Sequence, residues 1–215
     1  MKKLNFSQAD LTTLDKTFGV QQVWECALLD TWLSGEISIS DADKNQIQKY
    51  QHRLIRGGRS WNEVELENKF ISPLILSADI ETDTIGYFLE RPLSAVINDC
   101  ELSGIVDGMI ATGFREPELP LFCIHEYKRS TDNQGSPEAQ VLAAMLVARE
   151  KYKHELPIYG LFVVGLVWNF VVLNGNDYCI SRDFSASDDD IYKIVQILRK
   201  LKEIIATELI PQTTR

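Results

Sequence analysis

The segment Leu121–Lys128 constrains the fold of this chain most strongly. Its first four residues are apolar and predict a buried strand, which then ends on Glu126 and Lys128. Alternate residues of a strand lie on one face, so these two charged side chains point the same way, roughly 6.5–7 Å apart along the strand. Asp107 interrupts a second apolar run, Ile105–Ile110, in the same manner. Charges embedded in buried strands need partners, and the two runs are therefore expected to pair in one sheet, where two carboxylates and a lysine would converge.

The other patterns along the chain predict an α/β fold with a mixed central sheet flanked by helices. Residues 1–56 show helical spacing of apolar side chains and predict a helical N-terminal extension, packed on a core formed by residues 57–215. The predicted core is one helix, three strands, a second helix and a fourth strand, followed by a hairpin and a last helix. The predicted segments from the first helix to the fourth strand are 60–76, 86–98, 101–112, 121–128, 137–153 and 158–164.

The first core helix carries several candidate carboxylates. Ser60 and Glu63 have the spacing of a capping box, and Pro73 inside the helix predicts a kink. At ~100° per residue, Glu63 and Glu67 share the face that packs on the sheet, while Glu65 points away. We choose Glu63 as the site residue and keep Glu67 as the alternative. An equally good interpretation is that all three glutamates complement the helix dipole.

Composition restricts the possible functions. The chain has 215 residues, 45% of them apolar, and a formal net charge of −9, which argues against a protein that is basic throughout. No apolar run is long enough for a membrane span and no secretory signal is evident, so we expect a cytoplasmic protein that does not enter membranes. The four cysteines and three histidines lack the spacing of zinc ligands. No phosphate-loop motif is present, and we therefore expect no nucleoside triphosphate as a partner.

The ordered set of a helix glutamate, Asp107 and Glu126-x-Lys128 resembles the PD-(D/E)XK nuclease superfamily, which has the restriction-endonuclease-like fold. The predicted αβββαβ order is the order of that fold, with the aspartate on its second strand and the Glu-x-Lys on its third. Val106 stands where the superfamily name has a proline. Upstream, Asn62-Glu63 followed by Phe-Ile-Ser-Pro-Leu is similar to the start of the N-terminal nuclease domain of type I restriction enzyme R subunits. The resemblance covers residues 60–175.

The resemblance implies a metal-dependent nuclease that hydrolyses phosphodiester bonds of nucleic acid, and we expect DNA as the substrate. Asp107 and Glu126 would ligate Mg²⁺, or Mn²⁺, together with the backbone carbonyl of Tyr127, and waters would complete the shell. Glu63 would bind a water or a second metal. Lys128 would orient or deprotonate the attacking water and offset charge on the phosphate.

Further residues have supporting roles in this interpretation. Gln140 lies near the start of the following helix, where several branches of the superfamily carry a glutamine, and would steady Lys128 or the water. Arg53, Arg56 and Arg59 form a basic run just before the first core helix and would bind phosphates. A solvated helix face is the alternative interpretation of this run. Paired cuts on a duplex would suit a homodimer.

Two interpretations without catalysis remain open. The chain is then either a silent nuclease-fold module that binds nucleic acid or a protein partner, which the net charge favours, or a structural domain with a buried ion cluster. The side chains of His125 and Tyr127 point away from the face of Glu126, and we interpret both as packing residues.

Overall fold

A computed structural model of the protein describes residues 1–129, 135–153 and 156–210 and shows a mixed nine-stranded sheet packed against helices. The predicted α/β class, with its mixed sheet and N-terminal helical region, is confirmed. The helices are α1 (Leu11–Phe18), α2 (Ala27–Leu33), α3 (Asp41–Gly57), α4 (Glu63–Leu66), α5 (Ser72–Leu76), α6 (Pro137–Tyr152) and α7 (Asp190–Ile204). A π-helical turn, Glu67–Ile71, joins α4 to α5, and another, Ile205–Leu209, follows α7.

The strands follow the predicted order of the core. The first three core strands, the helix α6 and the next strand succeed one another along the chain as expected. The strands are β1 (Lys2–Asn5), β2 (Gln21–Gln22), β3 (Ile85–Ile97), β4 (Cys100–Thr112), β5 (Glu118–Lys128), β6 (Ile158–Val164), β7 (Val167–Asn174), β8 (Asp177–Ile180) and β9 (Phe184–Ser185).

A two-residue turn fixes the register of the long hairpin formed by β3 and β4. Asn98 and Asp99 both have positive φ, 49° and 59°, which is the conformation of a type I′ turn. Short polar side chains tolerate this left-handed region better than others, so the local sequence matches the turn. The turn pairs Ile97 with Cys100, and the antiparallel pairing then runs to Ile85 and Thr112.

One edge of β4 changes its partner, and this change opens a gap in the sheet. The residues up to Ser103 pair in parallel with β1, and those from Gly108 onward pair in antiparallel with β5. Phe6, just after β1, packs on Gly104, where a side-chain Cβ would lie 2.3 Å from its ring. Residues 104–107 therefore lie between the two partner strands, and Asp107 is the last of them.

Helices cover both faces of the sheet. One core contains apolar side chains of α2, α3, α4, α5 and α7, and includes the fully buried Trp32 and Trp168. The other core lies mainly beneath α6, whose residues 139–148 are all buried. Tyr127 of β5 belongs to the first core and Ile124 to the second, so β5 contributes side chains to both cores.

The first core helix begins two residues later than predicted. Its N-cap is Asn62 rather than Ser60, and the capping box joins Asn62 to Glu65. The predicted disturbance near Pro73 is a widened π-helical turn immediately before it. Proline lacks an N–H donor, and its ring crowds the carbonyl of residue 69, so a wider turn relieves the contact.

The N-terminal region is mainly helical but also adds two short strands to the sheet. β1 pairs with β4, and β2 pairs with β8, in both cases in parallel. Trp32 Nε1 donates a hydrogen bond to the carbonyl of Ile197 in α7 at 2.9 Å, so this region packs on the core. The division into residues 1–56 and 57–215 stays a prediction. Within the described ranges, no helix is long and apolar enough to cross a membrane.

Candidate active site

The gap between β1 and β5 brings Asp107 to the end of β5. Its carboxylate Oδ2 accepts a hydrogen bond from the backbone N–H of Tyr127 at 2.5 Å. Met109 of β4 pairs with Ile124 of β5, so Asp107 lies across from Glu126 and on the same face. The two carboxylates that the sequence predicts to converge are therefore brought together.

Lys128 joins the strand carboxylate to a helix carboxylate. Its Nζ lies 2.9 Å from Glu126 Oε1 and 3.2 Å from Glu63 Oε1. The Lys128 side chain is 19% exposed, whereas that of Glu126 is 6% exposed, so the ammonium reaches from a buried acid towards solvent. The choice of Glu63 as the helix carboxylate agrees with this contact. Glu65 points elsewhere and bonds Lys69 and the N–H of Asn62.

Two more glutamates belong to the same cluster. Glu67, in the π-helical turn, is only 9% exposed, and within the described residues its carboxylate has no hydrogen-bond or ion-pair partner. Glu90 is exposed and has a positive φ of 51°, which is unusual for a residue with a side chain. The charges of both Glu90 and Asp107 act on the Glu67 carboxyl, as does that of Glu63.

Sequence reasoning missed Glu90, although a signal for it exists. The hairpin register pairs Leu89 with Gly108 and Arg91 with Val106, which places Glu90 across from Asp107. A type I′ turn at residues 98 and 99 implies this register, because a two-residue turn fixes every later pair.

The buried carboxyls are harder to ionise than usual. Burial raises the pKa of Glu126 to about 8, with the charge of Asp107 adding to the effect and Lys128 opposing it. Burial likewise raises the pKa of Asp107 to about 6, although the N–H of Tyr127 and the charge of Lys128 lower it. Glu67 has its pKa raised to about 7 by burial, by Asp107 and by its glutamate neighbours. These carboxyls therefore lack sufficient positive charge nearby.

Lys128 stays an ammonium ion in this environment. Burial alone lowers the pKa of Lys128, but the charges of Glu126, Asp107 and Glu63 outweigh burial and raise it above the ordinary value. One ammonium thus faces a larger number of carboxylates. A hard divalent cation is the kind of ligand that would offset the remaining negative charge.

Substitution of Glu67 tests this electrostatic picture without any activity assay. We expect Glu67→Gln to raise the free energy of unfolding of the metal-free protein at pH 8 by on the order of 2 kcal/mol. The pKa of Glu67 is about 7 in the fold, against an ordinary 4.5. Its contribution to stability is therefore complete below pH ~4.5 and is lost as the pH rises through ~7. Urea unfolding in EDTA from pH 4 to pH 8 measures the difference.

Glu65→Gln is the matched control on the same helix. Its hydrogen bonds to Lys69 and to the N–H of Asn62 lower the pKa of Glu65, so its loss should destabilise the protein at pH 8. The two substitutions are thus expected to have opposite signs. Equal stability of Glu67→Gln and wild type at pH 8 would show that Glu67 is adequately paired or solvated.

Gln140 is buried, but the predicted contact between Gln140 and Lys128 is not seen among the described residues. It is 6% exposed, near the start of α6, and a Cβ on Gly135 would lie 2.5 Å from its Nε2. Its face turns inward, as its apolar helical neighbours indicate. Among the residues that the structure describes, no hydrogen bond joins Gln140 to Lys128, so its supporting role stays a prediction.

One member of the basic run, Arg59, lies at the same end of the sheet as the carboxylate cluster. Arg53, Arg56 and Arg59 are exposed, and in the described ranges none of them forms an ion pair. Arg59 borders a groove of about 210 Å³ whose other wall is the turn between β6 and β7. Gly165 in that turn donates its N–H to the carbonyl of Lys128 at 2.8 Å. The groove and the carboxylate cluster therefore occupy the same end of the sheet.

The described residues do not present a complete cage of metal-binding side chains. Outside the residues left undescribed, no group of three or more Asp, Glu, His or Cys side chains is arranged to hold a metal ion. No protein-family model matches the chain, and no curated protein is significantly similar to it. The chemistry of the site itself is therefore the guide to its function.

Proposed function

We propose that this protein is a metal-dependent nuclease of the PD-(D/E)XK type that hydrolyses phosphodiester bonds of nucleic acid, with DNA as the substrate. One observation carries the proposal. Lys128 contacts Glu126 and Glu63 at once, while Asp107 is held at the neighbouring backbone N–H of Tyr127. An aspartate, a Glu-x-Lys and a helix glutamate in one cluster resemble the constellation of that superfamily.

The donors at this site fit a magnesium ion with a small protein shell. Mg²⁺ commonly uses one or two carboxylates and keeps several waters, so it does not require three acidic side chains in place. Asp107 and Glu126 would supply the carboxylates, and the carbonyl of Tyr127 a third oxygen. Their raised pKa values indicate the deficit of positive charge that such an ion removes. When bound, the metal would lower the pKa of a water and neutralise phosphate charge.

Lys128 would position the attacking water and stabilise the transition state. Its pKa is raised in the metal-free protein, so it carries a proton and acts as a donor rather than as a base. An ammonium already fixed between Glu126 and Glu63 needs little reorganisation to offset the charge that develops on the phosphate. Glu63 fixes the position of that ammonium from the helix side.

The experiment that tests the proposal is a cleavage assay on plasmid, linear duplex, single-stranded DNA and RNA. We expect cleavage of at least one DNA substrate with Mg²⁺ or Mn²⁺, and none in EDTA. Mn²⁺ should also raise the melting temperature of the protein, since a ligand that binds only the folded state stabilises it. No cleavage and no melting shift at millimolar Mn²⁺ would contradict the proposal.

The exposed arginines of the basic run suit a phosphate backbone. Arg53 and Arg56 lie in the last turns of α3, and Arg59, just after it, borders the groove that adjoins Lys128. In a chain with a net charge of −9, exposed cations that have no acidic partner among the described residues form a local attraction for an anionic strand. A backbone bound there would pass close to the carboxylate cluster.

Replacement of Arg53, Arg56 and Arg59 by glutamine should weaken DNA binding in a salt-dependent way. Each phosphate contact contributes about −0.9 to the slope of log K against log salt. The loss of three contacts should therefore make the slope shallower by up to roughly 2.7. Fluorescence anisotropy with a labelled duplex in EDTA, across a salt series, measures this change. Lys44→Gln, at the other end of α3 where it pairs with Asp41, is the control and should leave the slope unchanged.

A silent binding module is the second candidate function, and the net charge of −9 favours it. It predicts binding of a partner without hydrolysis. In that case Lys128→Ala and the wild type would behave alike on every nucleic acid, with and without metal.

A further inference from the structure

A chain of buried polar side chains crosses the sheet behind the carboxylate cluster. His125 Nδ1 lies 2.8 Å from the hydroxyl of Tyr127, and that hydroxyl lies 2.8 Å from the hydroxyl of Tyr87. The Tyr87 hydroxyl is in turn 3.3 Å from Ser72 Oγ. The four residues come from β5, β3 and α5. These contacts show that His125 and Tyr127 do more than pack.

Gly108 makes room for this chain to pass β4. A Cβ at that position would lie 2.9 Å from the Tyr127 hydroxyl and 3.1 Å from His125 Nδ1. The glycine is the residue directly after Asp107. A side chain there would push the tyrosine and histidine away from the strand that carries the aspartate.

The hydrogen bonds of the chain have one favoured direction. His125 is fully buried, and its Nε2 has no hydrogen-bond partner in the described structure. A buried N–H without an acceptor is rarer than a buried acceptor without a donor, so the ring proton belongs on Nδ1. His125 then donates to Tyr127, Tyr127 to Tyr87, and Tyr87 to Ser72. In this arrangement the hydroxyls of Tyr127 and Tyr87 each accept one hydrogen bond and donate one.

Two members of this chain, Tyr127 and Ser72, lie next to the two halves of the cluster. Tyr127 supplies the backbone N–H that holds Asp107, and it is flanked by Glu126 and Lys128. Ser72 is the first residue after the π-helical turn that carries Glu67. Movement of the helix relative to β5 would therefore have to break this chain.

We propose that Ser72, Tyr87, Tyr127 and His125 are positioning residues that fix the helix glutamates relative to Asp107 and the Glu-x-Lys strand. The inference rests on the proposed function for its consequence in metal binding, but not for its geometry. None of the four side chains touches the reacting groups. Each acts through the backbone that presents the cluster.

Tyr127→Phe and Tyr87→Phe test the inference, with Tyr178→Phe as the matched control. Tyr178 is also buried, and its hydroxyl bonds Asp15 in a different part of the fold. Amide hydrogen exchange of residue 127 should accelerate by about 10-fold or more in the first two variants and not in the control. Mn²⁺ affinity should fall by roughly 10-fold, and kcat should fall while KM for DNA is retained.

The outcomes separate the inference from the proposed function. If both variants keep wild-type exchange at residue 127 and wild-type Mn²⁺ affinity, or merely lose melting temperature as the control does, the inference is wrong. If the wild type neither binds Mn²⁺ nor cleaves DNA, the proposed function fails, and amide exchange still decides whether the chain positions Asp107. If Tyr127→Phe does not fold, Tyr87→Phe gives the decision.

Discussion

Lys128→Ala is expected to reduce metal-dependent DNA cleavage by on the order of 10²–10³-fold, the usual cost of removing one prearranged charge donor at a transition state. The ammonium lies within 3.2 Å of both Glu126 and Glu63. The methyl group of the introduced alanine carries no charge and cannot make these contacts. KM for DNA should change little, because the Lys128 side chain is only 19% exposed and is paired with Glu126 and Glu63. Initial rates on a labelled duplex at saturating Mg²⁺ measure the loss.

Lys69→Ala is the control for this experiment. Lys69 lies on the helical segment that carries Glu63, and it pairs with Glu65, outside the cluster. Its removal should leave cleavage within about twofold of wild type, since exposed ion pairs contribute little. Comparable loss of activity in both variants would indicate a general disturbance of the helix. Full activity of Lys128→Ala would remove the lysine from the proposed mechanism.

Glu126→Gln is expected to have two opposite effects. Cleavage and the Mn²⁺-induced rise in melting temperature should be lost. Mn²⁺ affinity should fall by at least roughly 10-fold, because even residues that only hydrogen-bond a metal ligand cost that much when they are replaced. The metal-free protein should at the same time become more stable at pH 8. The pKa of Glu126 is raised to about 8, so the wild type loses stability as the pH rises towards that value, whereas glutamine carries no charge to bury.

The size of this gain is limited by Lys128, which partly compensates the Glu126 charge in the wild type. A gain on the order of 1 kcal/mol would raise the melting temperature by roughly 2–4 °C in a chain of this length. Differential scanning fluorimetry in EDTA and in Mn²⁺ measures both effects on one sample. Higher stability combined with an unchanged Mn²⁺ response would favour a purely structural ion cluster.

The core of the fold could be predicted because its local signals agree with one another. The β-branched run of β6, the alanine-rich α6 and the Asn98-Asp99 turn each specify one structure without distant information. β1 and β2 lacked such a signal, since four and two mostly polar residues carry no alternation that distinguishes a strand from a loop. They become strands because partner edges are available in the folded sheet.

The site was predictable to the extent that it depends on strand alternation. Glu126 and Lys128 had to share a face, and Asp107 followed once the strands paired. Glu90 depends on the hairpin register, and the start of the helix at Asn62 depends on competition between two adjacent capping sequences. The hydroxyl chain behind the site joins three elements, and such contacts have no signature in local sequence.

The π-helical turn has a consequence for how the glutamates are aimed. A residue of an α-helix rotates by ~100° relative to the one before it, so one additional residue in a turn resets the rotational phase of everything on its N-terminal side. Leu74 and Phe70 anchor one end of the helix in the core, while Glu63 at the other end meets Lys128. A regular α-helix would keep Glu63 in line with Phe70, seven residues or about two turns away, and so on the core face. The wide turn rotates Glu63 off that face, and its half-exposed carboxylate meets Lys128 instead.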